Sequence, residues 1–131
     1  KLTSRDDAIL FLSDATPESI NALQKLLDLL LISPTAKRLI IRLHPADPKD
    51  RYDKLLEAYK TKISVKVSRE KDIVRNLVAT RLVIGTETVA LVVALLVGIR
   101  TVSLISKGKR SQLPFPGILR VQHLERISDL I

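Results

Sequence analysis

The sequence predicts an α/β fold in which six mostly parallel strands form one doubly wound sheet with helices on both faces. Three observations support this prediction. Short apolar runs alternate with amphipathic segments from end to end, the turns between them are short, and the amphipathic segments are long enough to cross over between parallel strands. The 131 residues fit a single domain with one core, and no internal repeat suggests another organisation.

The first strand and helix are predicted between residues 8 and 32. Residues 8–12 form an apolar run that ends at Ser13 and Asp14, as in a strand covered on both faces. Thr16 is a favourable N-cap, and Pro17 suits the first turn of a helix. Apolar residues then recur every three or four positions, so the helix is expected to bury a wide stripe that contains Ile20, Leu23, Leu26, Leu27, Leu30 and Leu31.

The second strand, residues 39–43, leads directly into His44-Pro45. Because proline holds the preceding residue in an extended conformation, His44 is expected at the carboxyl end of this strand with its ring directed outward. Asp47-Pro48 predicts the start of the second helix, again by an N-cap followed by proline. The buried stripe of this helix is predicted to contain Tyr52, Leu55, Leu56 and Tyr59.

The third strand, residues 63–67, alternates apolar and polar side chains, which is typical of the edge of a sheet. Ser68 is predicted to cap a third helix. The inward residues of that helix are expected to be Ile73, Val74, Leu77 and Val78.

The fourth strand, residues 82–85, is predicted to turn at Gly85-Thr86-Glu87-Thr88 into a core helix that Gly98 ends. The apolar run from Val89 to Ile99 is well short of the roughly 20 residues that cross a bilayer. Strands at residues 100–105 and 118–121 and a short terminal helix complete the chain. Six strands suit the Rossmann-type order, in which ligands bind at the carboxyl edge where the winding reverses.

Polar residues collect at this carboxyl edge. They are Ser13 after the first strand, His44 and Pro45 after the second, Ser68 after the third, and Gly85, Thr86, Glu87 and Thr88 after the fourth. His44 can donate a hydrogen bond to a phosphate; the alternative is that it caps a loop carbonyl. Asp14 is the best candidate for a general base, with capping of the first loop as the alternative. No metal or cofactor is required for this arrangement.

The turn at residues 85–88 has two interpretations. Free N–H groups and the hydroxyls of Thr86 and Thr88 at the start of a helix can bind a phosphate. The alternative is that Thr86 is only an N-cap. Glu87 would repel a phosphate, but it could accept a hydrogen bond from a ribose hydroxyl.

Composition excludes several classes of function. The chain has no cysteine and only two histidines, which excludes disulfides and makes a structural zinc site improbable. The GxGxxG, GxxxxGK[ST] and GxSxG motifs are absent. The net charge of +8 suits phosphates or an anionic membrane. Nucleic acid is not expected as a partner, because the basic residues are dispersed and the aromatic residues are too few to stack bases.

Two motifs resemble those of a known family. Ile41-Arg42-Leu43-His44-Pro45 resembles the His-Pro motif of bacterial sialyltransferases and polysialyltransferases, and Leu82-Val83-Ile84-Gly85-Thr86-Glu87-Thr88 falls where their Ser/Thr motif follows the fourth strand. From about Ala8 to Ile105 the chain resembles the carboxyl-terminal, donor-nucleotide domain of two-domain (GT-B) glycosyltransferases. The resemblance implies that His44, Thr86 and Thr88 contact the phosphate of a CMP-sugar.

The resemblance also implies what this chain lacks. The family's acidic general base lies in an amino-terminal Rossmann half, so the chain alone is expected to bind the donor sugar nucleotide without transferring the sugar, and its catalytic residues are unknown. Residues 1–7 are interpreted as a linker and residues 8–131 as the domain. A cytoplasmic location is expected, with membrane-surface contact through Lys107, Lys109 and Arg110. A non-catalytic α/β nucleotide-binding or protein-interaction module and half of a sugar-nucleotide epimerase remain alternatives.

Overall fold

The computed structural model describes residues 8–32, 38–78, 80–86, 89–104 and 117–131, without the side chains of residues 125, 127 and 128. Within these residues the strands are β1 (Ala8–Leu12), β2 (Arg38–Arg42), β3 (Ser64–Ser68), β4 (Thr80–Thr86), β5 (Arg100–Leu104) and β6 (Leu119–Val121). The helices are α1 (Pro17–Leu31), α2 (Asp53–Glu57), α3 (Ile73–Leu77) and α4 (Ala90–Val97), followed by a 3₁₀ helix at Leu124–Leu130.

The six strands form one sheet in the order β3-β2-β1-β4-β5-β6, and each runs parallel to its neighbours. The winding reverses between β1 and β4, as in the Rossmann-type order. The predicted α/β fold with a doubly wound six-stranded sheet is confirmed. The prediction that β3 lies at an edge is also confirmed.

Helices cover both faces of the sheet. Ile9 and Phe11 of β1 point towards α1, α2 and the 3₁₀ helix, whereas Leu10 and Leu12 point towards α3 and α4. We call the side of α1, α2 and the 3₁₀ helix the sealed face and the side of α3 and α4 the open face. The sealed face holds the larger of the two apolar clusters, which includes the buried Tyr52.

The second helix starts later than predicted. Asp47-Pro48 does not open it: residues 47–53 form successive turns, with Arg51 N–H donating to Pro48 O and Asp53 N–H donating to Asp50 O, and α2 begins only at Asp53. The physical reason is that the Asp47 carboxylate already accepts hydrogen bonds from other groups, described below, and so does not cap a helix. The predicted buried stripe is nevertheless present, except that Leu55 is only half-buried.

The third helix is capped by Asp72 and not by Ser68. The Asp72 carboxylate accepts from Val74 N–H at 3.0 Å, whereas Ser68 is the last residue of β3. Asn76 Nδ2 and Glu70 N–H donate to the Ser68 hydroxyl at 2.8 and 3.1 Å. Ile73 and Leu77 face the sheet as predicted, but Val74 and Val78 are exposed.

The predicted turn after the fourth strand is wrong for Gly85 and Thr86. Both belong to β4, because the pairing with β5 continues as far as Thr86 and Leu104. Gly85 serves close packing: a Cβ atom there would lie 3.2 Å from Leu12 Cβ and 3.3 Å from Leu91 Cδ2. Glu87 and Thr88 lie outside the described residues, as do the predicted linker at residues 1–7 and the basic loop at residues 107–110.

Helix α4 ends at Gly98 as predicted, with Gly98 in the left-handed conformation at φ 95°. The prediction of a core helix is wrong, however. Leu91 and Ala94 are buried against the sheet, but Leu96 and Val97 are exposed to solvent. In the described part of the chain, no helix combines the length and apolar character that spanning a bilayer would require.

Candidate functional site

A cavity of about 230 Å³ lies at the carboxyl edge of the sheet. The ends of β1 and β2 contribute Ser13, Arg42, His44 and Pro45, and the helices of the open face contribute Ile73, Ala90 and Val93. Three of the residues predicted from sequence, Ser13, His44 and Pro45, therefore line one cavity. Among the described residues that line it, one is a cation and none is a carboxylate.

Two backbone hydrogen bonds hold His44 in place. Its own N–H donates to Asp47 Oδ2 at 2.9 Å, and Ala46 N–H donates to its ring Nδ1 at 3.0 Å. Since Nδ1 accepts, the proton of the neutral ring resides on Nε2. His44 thus caps a loop N–H and not a loop carbonyl, and the nitrogen left as a donor is Nε2.

Asp47 connects the loops that follow β1 and β2. Ser13 Oγ donates to its Oδ2 at 2.6 Å, and Arg51 Nη1 lies 2.5 Å from its Oδ1, while the Asp47 side chain is only 2% exposed. Burial by itself raises the pKa of Asp47, but the hydrogen bonds from Ser13, His44 N–H and Arg51, together with the Arg51 charge, outweigh it and lower the pKa below 3.8. The Asp47 carboxylate is therefore ionised, and its hydrogen bonds hold the two loops together.

The Ser13 hydroxyl is committed to the interior of the sealed face. Besides donating to Asp47, it accepts from the phenol O–H of Tyr52 at 2.5 Å, and the Tyr52 oxygen also lies 3.1 Å from Ser19 Oγ. Tyr52 and Ser19 are both buried. Ser13 therefore lines the cavity while its hydroxyl holds β1, α1 and the turn before α2 together.

Arg51 also connects the loops that follow β1 and β2. Its guanidinium donates to the Asp14 carbonyl and, at 2.6 Å, to the Thr16 carbonyl, and it stacks over the Tyr52 ring at 5.1 Å. Sequence reasoning missed this role. The available signal was the spacing of Asp47 and Arg51, which places opposite charges four residues apart.

Asp14 and Thr86 meet across the point where the winding reverses. The Thr86 hydroxyl donates to the Asp14 carboxylate, which also accepts from Thr16 N–H at 2.8 Å and Thr16 Oγ1 at 2.5 Å. Asp14 thus caps the first loop, the second of the two roles considered for it. A phosphate contact by Thr86 would require its hydroxyl to exchange Asp14 for the phosphate.

Ser68 and Arg42 belong to a separate network beside the cavity. Arg42 donates to Glu70 O at 2.5 Å, Asn76 Oδ1 at 2.9 Å and Lys71 O at 3.0 Å, and Asn76 holds Ser68. Arg42 lines the cavity and supplies its positive charge, whereas Ser68 is not part of its lining. Ser68 fixes the loop between β3 and α3.

Comparison of the chain with protein-family models, curated proteins and solved structures finds no match. Among the described residues, no three His, Cys, Asp or Glu side chains cluster as ligands of a metal ion would. The cavity itself offers a histidine Nε2 donor, an arginine charge and apolar walls.

Proposed function

We propose that this chain is the donor-binding domain of a glycosyltransferase and that it holds a nucleotide sugar, by resemblance a CMP-sugar, at the carboxyl edge of its sheet. One observation carries the proposal: His44 lines the cavity, and its Nδ1 already accepts a hydrogen bond from Ala46 N–H. Its Nε2–H would therefore donate to a phosphate oxygen of the ligand. The sheet order supports the same location, since ligands of doubly wound sheets bind where the winding reverses.

Charge and size support a phosphate-bearing ligand. The described lining residues include the cation Arg42 and no carboxylate, so the cavity favours an anion. The apolar side chains of Ile73 and Val93 suit the flat faces of a base or sugar ring. A volume of about 230 Å³ is below the roughly 300–1,000 Å³ of pockets that enclose a whole ligand. We therefore assign the phosphate and one adjoining ring to it.

The remaining contacts are part of the proposal. Pro45 keeps His44 extended, and Gly85 and Thr86 end the strand across the reversal point, with Glu87 and Thr88 following in the sequence. Glu87 would accept from the ribose. Sugar transfer would also need the general base of an amino-terminal half. We place the whole enzyme in the cytoplasm, in polysaccharide or glycolipid synthesis.

The alternative is a non-catalytic interaction module that kept the fold. One observation favours it: the open face leaves aliphatic side chains of α3 and α4 exposed. The two functions differ in whether the cavity binds a nucleotide at all, so a ligand titration separates them.

The test is calorimetric titration with CMP, UDP, GDP, NAD and unphosphorylated cytidine. We expect CMP to bind, cytidine to bind at least tenfold more weakly, and the other nucleotides to bind more weakly than CMP. His44→Asn keeps an oxygen where Nδ1 accepts from Ala46 N–H but removes Nε2, so it should weaken CMP binding at least tenfold. His44→Gln retains a donor near Nε2 and should weaken it less.

His123→Ala is the matched control, because His123 is exposed and does not line the cavity. It should leave CMP affinity unchanged. Absence of binding to any nucleotide at millimolar concentration would reject the proposal in favour of the interaction module. Equal affinity for CMP and cytidine would reject the phosphate contact.

A further inference from the structure

Arg42 lines the cavity, and its guanidinium is held only by neutral groups. Nη1 donates to Glu70 O at 2.5 Å and to Asn76 Oδ1 at 2.9 Å, and Nη2 donates to Lys71 O at 3.0 Å. Two of these acceptors are backbone carbonyls and the third is a side-chain amide. In the described part of the chain, no ion pair includes Arg42. The guanidinium is therefore fixed in place while its charge is not compensated by a carboxylate in contact with it.

The carboxylates nearest to this loop in sequence are engaged by backbone groups. Glu70 Oε1 accepts from Asp72 N–H at 3.2 Å, and Asp72 Oδ1 accepts from Val74 N–H at 3.0 Å. Neither Glu70 nor Asp72 is among the described residues that line the cavity, and neither pairs with the Arg42 guanidinium. The charge that the cavity presents to a ligand is therefore that of Arg42.

Two donors of the Arg42 guanidinium remain for a ligand. A guanidinium has five N–H groups, and the three hydrogen bonds use both of those on Nη1 and one of those on Nη2. The Nε–H and the second N–H of Nη2 have no acceptor among the described residues. Donors on two neighbouring nitrogens are the pair from which a phosphate or carboxylate accepts in a bidentate contact.

Asn76 is the side chain that fixes this orientation. Its Nδ2 donates to the Ser68 hydroxyl at 2.8 Å, which directs its Oδ1 to Arg42. Asn76 and Ser68 are only 8% and 7% exposed, so an amide turned the other way would leave buried polar atoms unsatisfied. Because both ends of the amide are engaged, Asn76 connects β3, α3 and the end of β2 in a single arrangement.

We propose that Asn76 is a positioning residue: it holds the Arg42 guanidinium towards the ligand and, because its amide is neutral, leaves the arginine charge to the anionic group of that ligand. The inference rests on the proposed function, in which that group is the phosphate of a nucleotide sugar. A carboxylate at the same position would accept from Arg42 with similar geometry, but it would form an ion pair and cancel the charge that the cavity offers. The neutral amide therefore determines that the cavity takes an anion.

The position of Arg42 suits the contact proposed for His44. Arg42 is the last residue of β2, and His44 follows two positions later. Ile40, two positions before Arg42, packs on the open face, and side chains two positions apart along a strand lie on the same face of a sheet. Arg42 and His44 both line the cavity. A single phosphate would accept from His44 Nε2–H and from the two remaining donors of Arg42.

Asn76→Asp separates charge from structure, because the introduced carboxylate can accept from both Arg42 and the Ser68 hydroxyl. Asn21→Asp is the matched control: it makes the same change of charge at the other asparagine of the chain, which is exposed on α1 of the sealed face. Both variants and the wild type are titrated calorimetrically with CMP and, separately, with inorganic phosphate. We expect Asn76→Asp to weaken both affinities about tenfold, the loss of one charge-assisted hydrogen bond, and Asn21→Asp to leave both unchanged.

Two further variants distinguish positioning from a purely structural role. Asn76→Ala removes the hydrogen bonds to Arg42 and Ser68 but keeps the charge of the cavity. In urea denaturation Asn76→Ala should be less stable than Asn76→Asp, whereas in the titrations Asn76→Asp should lose more affinity. Ser68→Ala removes only the partner of Asn76 Nδ2 and should weaken CMP binding about threefold, the loss of one neutral hydrogen bond.

The outcomes separate this inference from the proposed function. Unchanged affinity of Asn76→Asp for both anions, an equal loss with Asn21→Asp, or a larger loss with Asn76→Ala would overturn the inference and leave nucleotide binding intact. Phosphate binding that Asn76→Asp weakens, without any CMP binding, would support the inference and reject the nucleotide. Binding of neither anion by the wild type would overturn both.

Discussion

The sealed face and the open face share the same six strands but differ in how their helices are covered. On the sealed face, α1 buries Leu23, Leu26 and Leu27, and its polar residues, apart from the buried Ser19, are at least partly exposed. On the open face, α4 is apolar on all sides, yet only Leu91 and Ala94 are buried. A soluble helix normally places its apolar stripe against the core, so the outer side of α4 departs from the pattern that α1 follows.

Polar interactions differ between the faces as well. The sealed face is closed at the carboxyl edge by the network of Ser13, Asp47, Arg51 and Tyr52. The open face has its cavity at that edge instead, between α3 and α4. The difference indicates that the sealed face carries the stability of the domain, whereas the open face carries the surfaces available for binding.

Truncation of the two faces should have unequal effects. Leu27→Ala on the sealed face removes a fully buried side chain and should lower the free energy of unfolding by about 2–5 kcal/mol. Leu96→Ala on the open face should change it by less than about 0.5 kcal/mol. Urea denaturation followed by circular dichroism measures both. Similar losses from the two variants would contradict the distinction between the faces.

The network of the sealed face should be acid-sensitive through Asp47. Because the pKa of folded Asp47 lies below its unfolded value of 3.8, the carboxylate stabilises the fold fully above that value and loses its effect as the pH falls through the folded pKa. Asp47→Asn should therefore cost about 1–3 kcal/mol at pH 7. The difference from the wild type should shrink as the pH falls below about 4. A difference that is constant from pH 7 to pH 3 would exclude this role.

The stability of the carboxyl end of α4 should depend only on the backbone conformation of Gly98. A Cβ at Gly98 would meet no atom within 4 Å, but φ there is 95°. Gly98→Ala should thus destabilise the open face by about 1 kcal/mol, and Gly98→Asn by less, since asparagine tolerates this conformation better. Thermal melts of the two variants compare them directly. Equal stability of Gly98→Ala and the wild type would show that the turn adopts another conformation.

The smallest effect is expected at Tyr59, which fastens α1 to the turn after α2. Its hydroxyl donates to Asp28 Oδ1 at 2.6 Å, and this hydrogen bond, followed by burial and the Asp28 charge, raises the pKa of Tyr59 above 10.0. The difference in ultraviolet absorbance between the wild type and Tyr59→Phe should titrate above pH 10. Asp28→Asn should move that midpoint down; an unmoved midpoint would exclude the contact.

Sequence periodicity was sufficient for the fold but not for the environment of each helix. Alternating apolar runs and short turns predicted all six strands, because these patterns are local. The same apolar run that predicted α4 could not reveal that its outer side is exposed, since an apolar residue looks the same in a sequence whether or not another element covers it. Val74 and Val78 were misassigned for the same reason.

The candidate site was predictable in part. His44 and Pro45 were placed correctly at the end of β2, because proline restricts the residue before it. The Asp47 network was missed: Ser13 lies 34 residues from Asp47 and 39 from Tyr52, and no local pattern links them. Asp47 and Ser68 looked like helix caps because capping preferences are local, and tertiary partners overrode them.

Nitrogen-15 NMR of the two imidazole rings tests the central claim most directly. His44 and His123 are the only histidines in the sequence, so His123→Ala assigns both sets of ring signals. On addition of CMP we expect the His44 Nε2 signal to shift and to saturate with the calorimetric affinity, while Nδ1 remains an acceptor and His123 is unaffected. Unchanged His44 signals in the presence of saturating CMP would contradict the assignment of His44 as the phosphate contact.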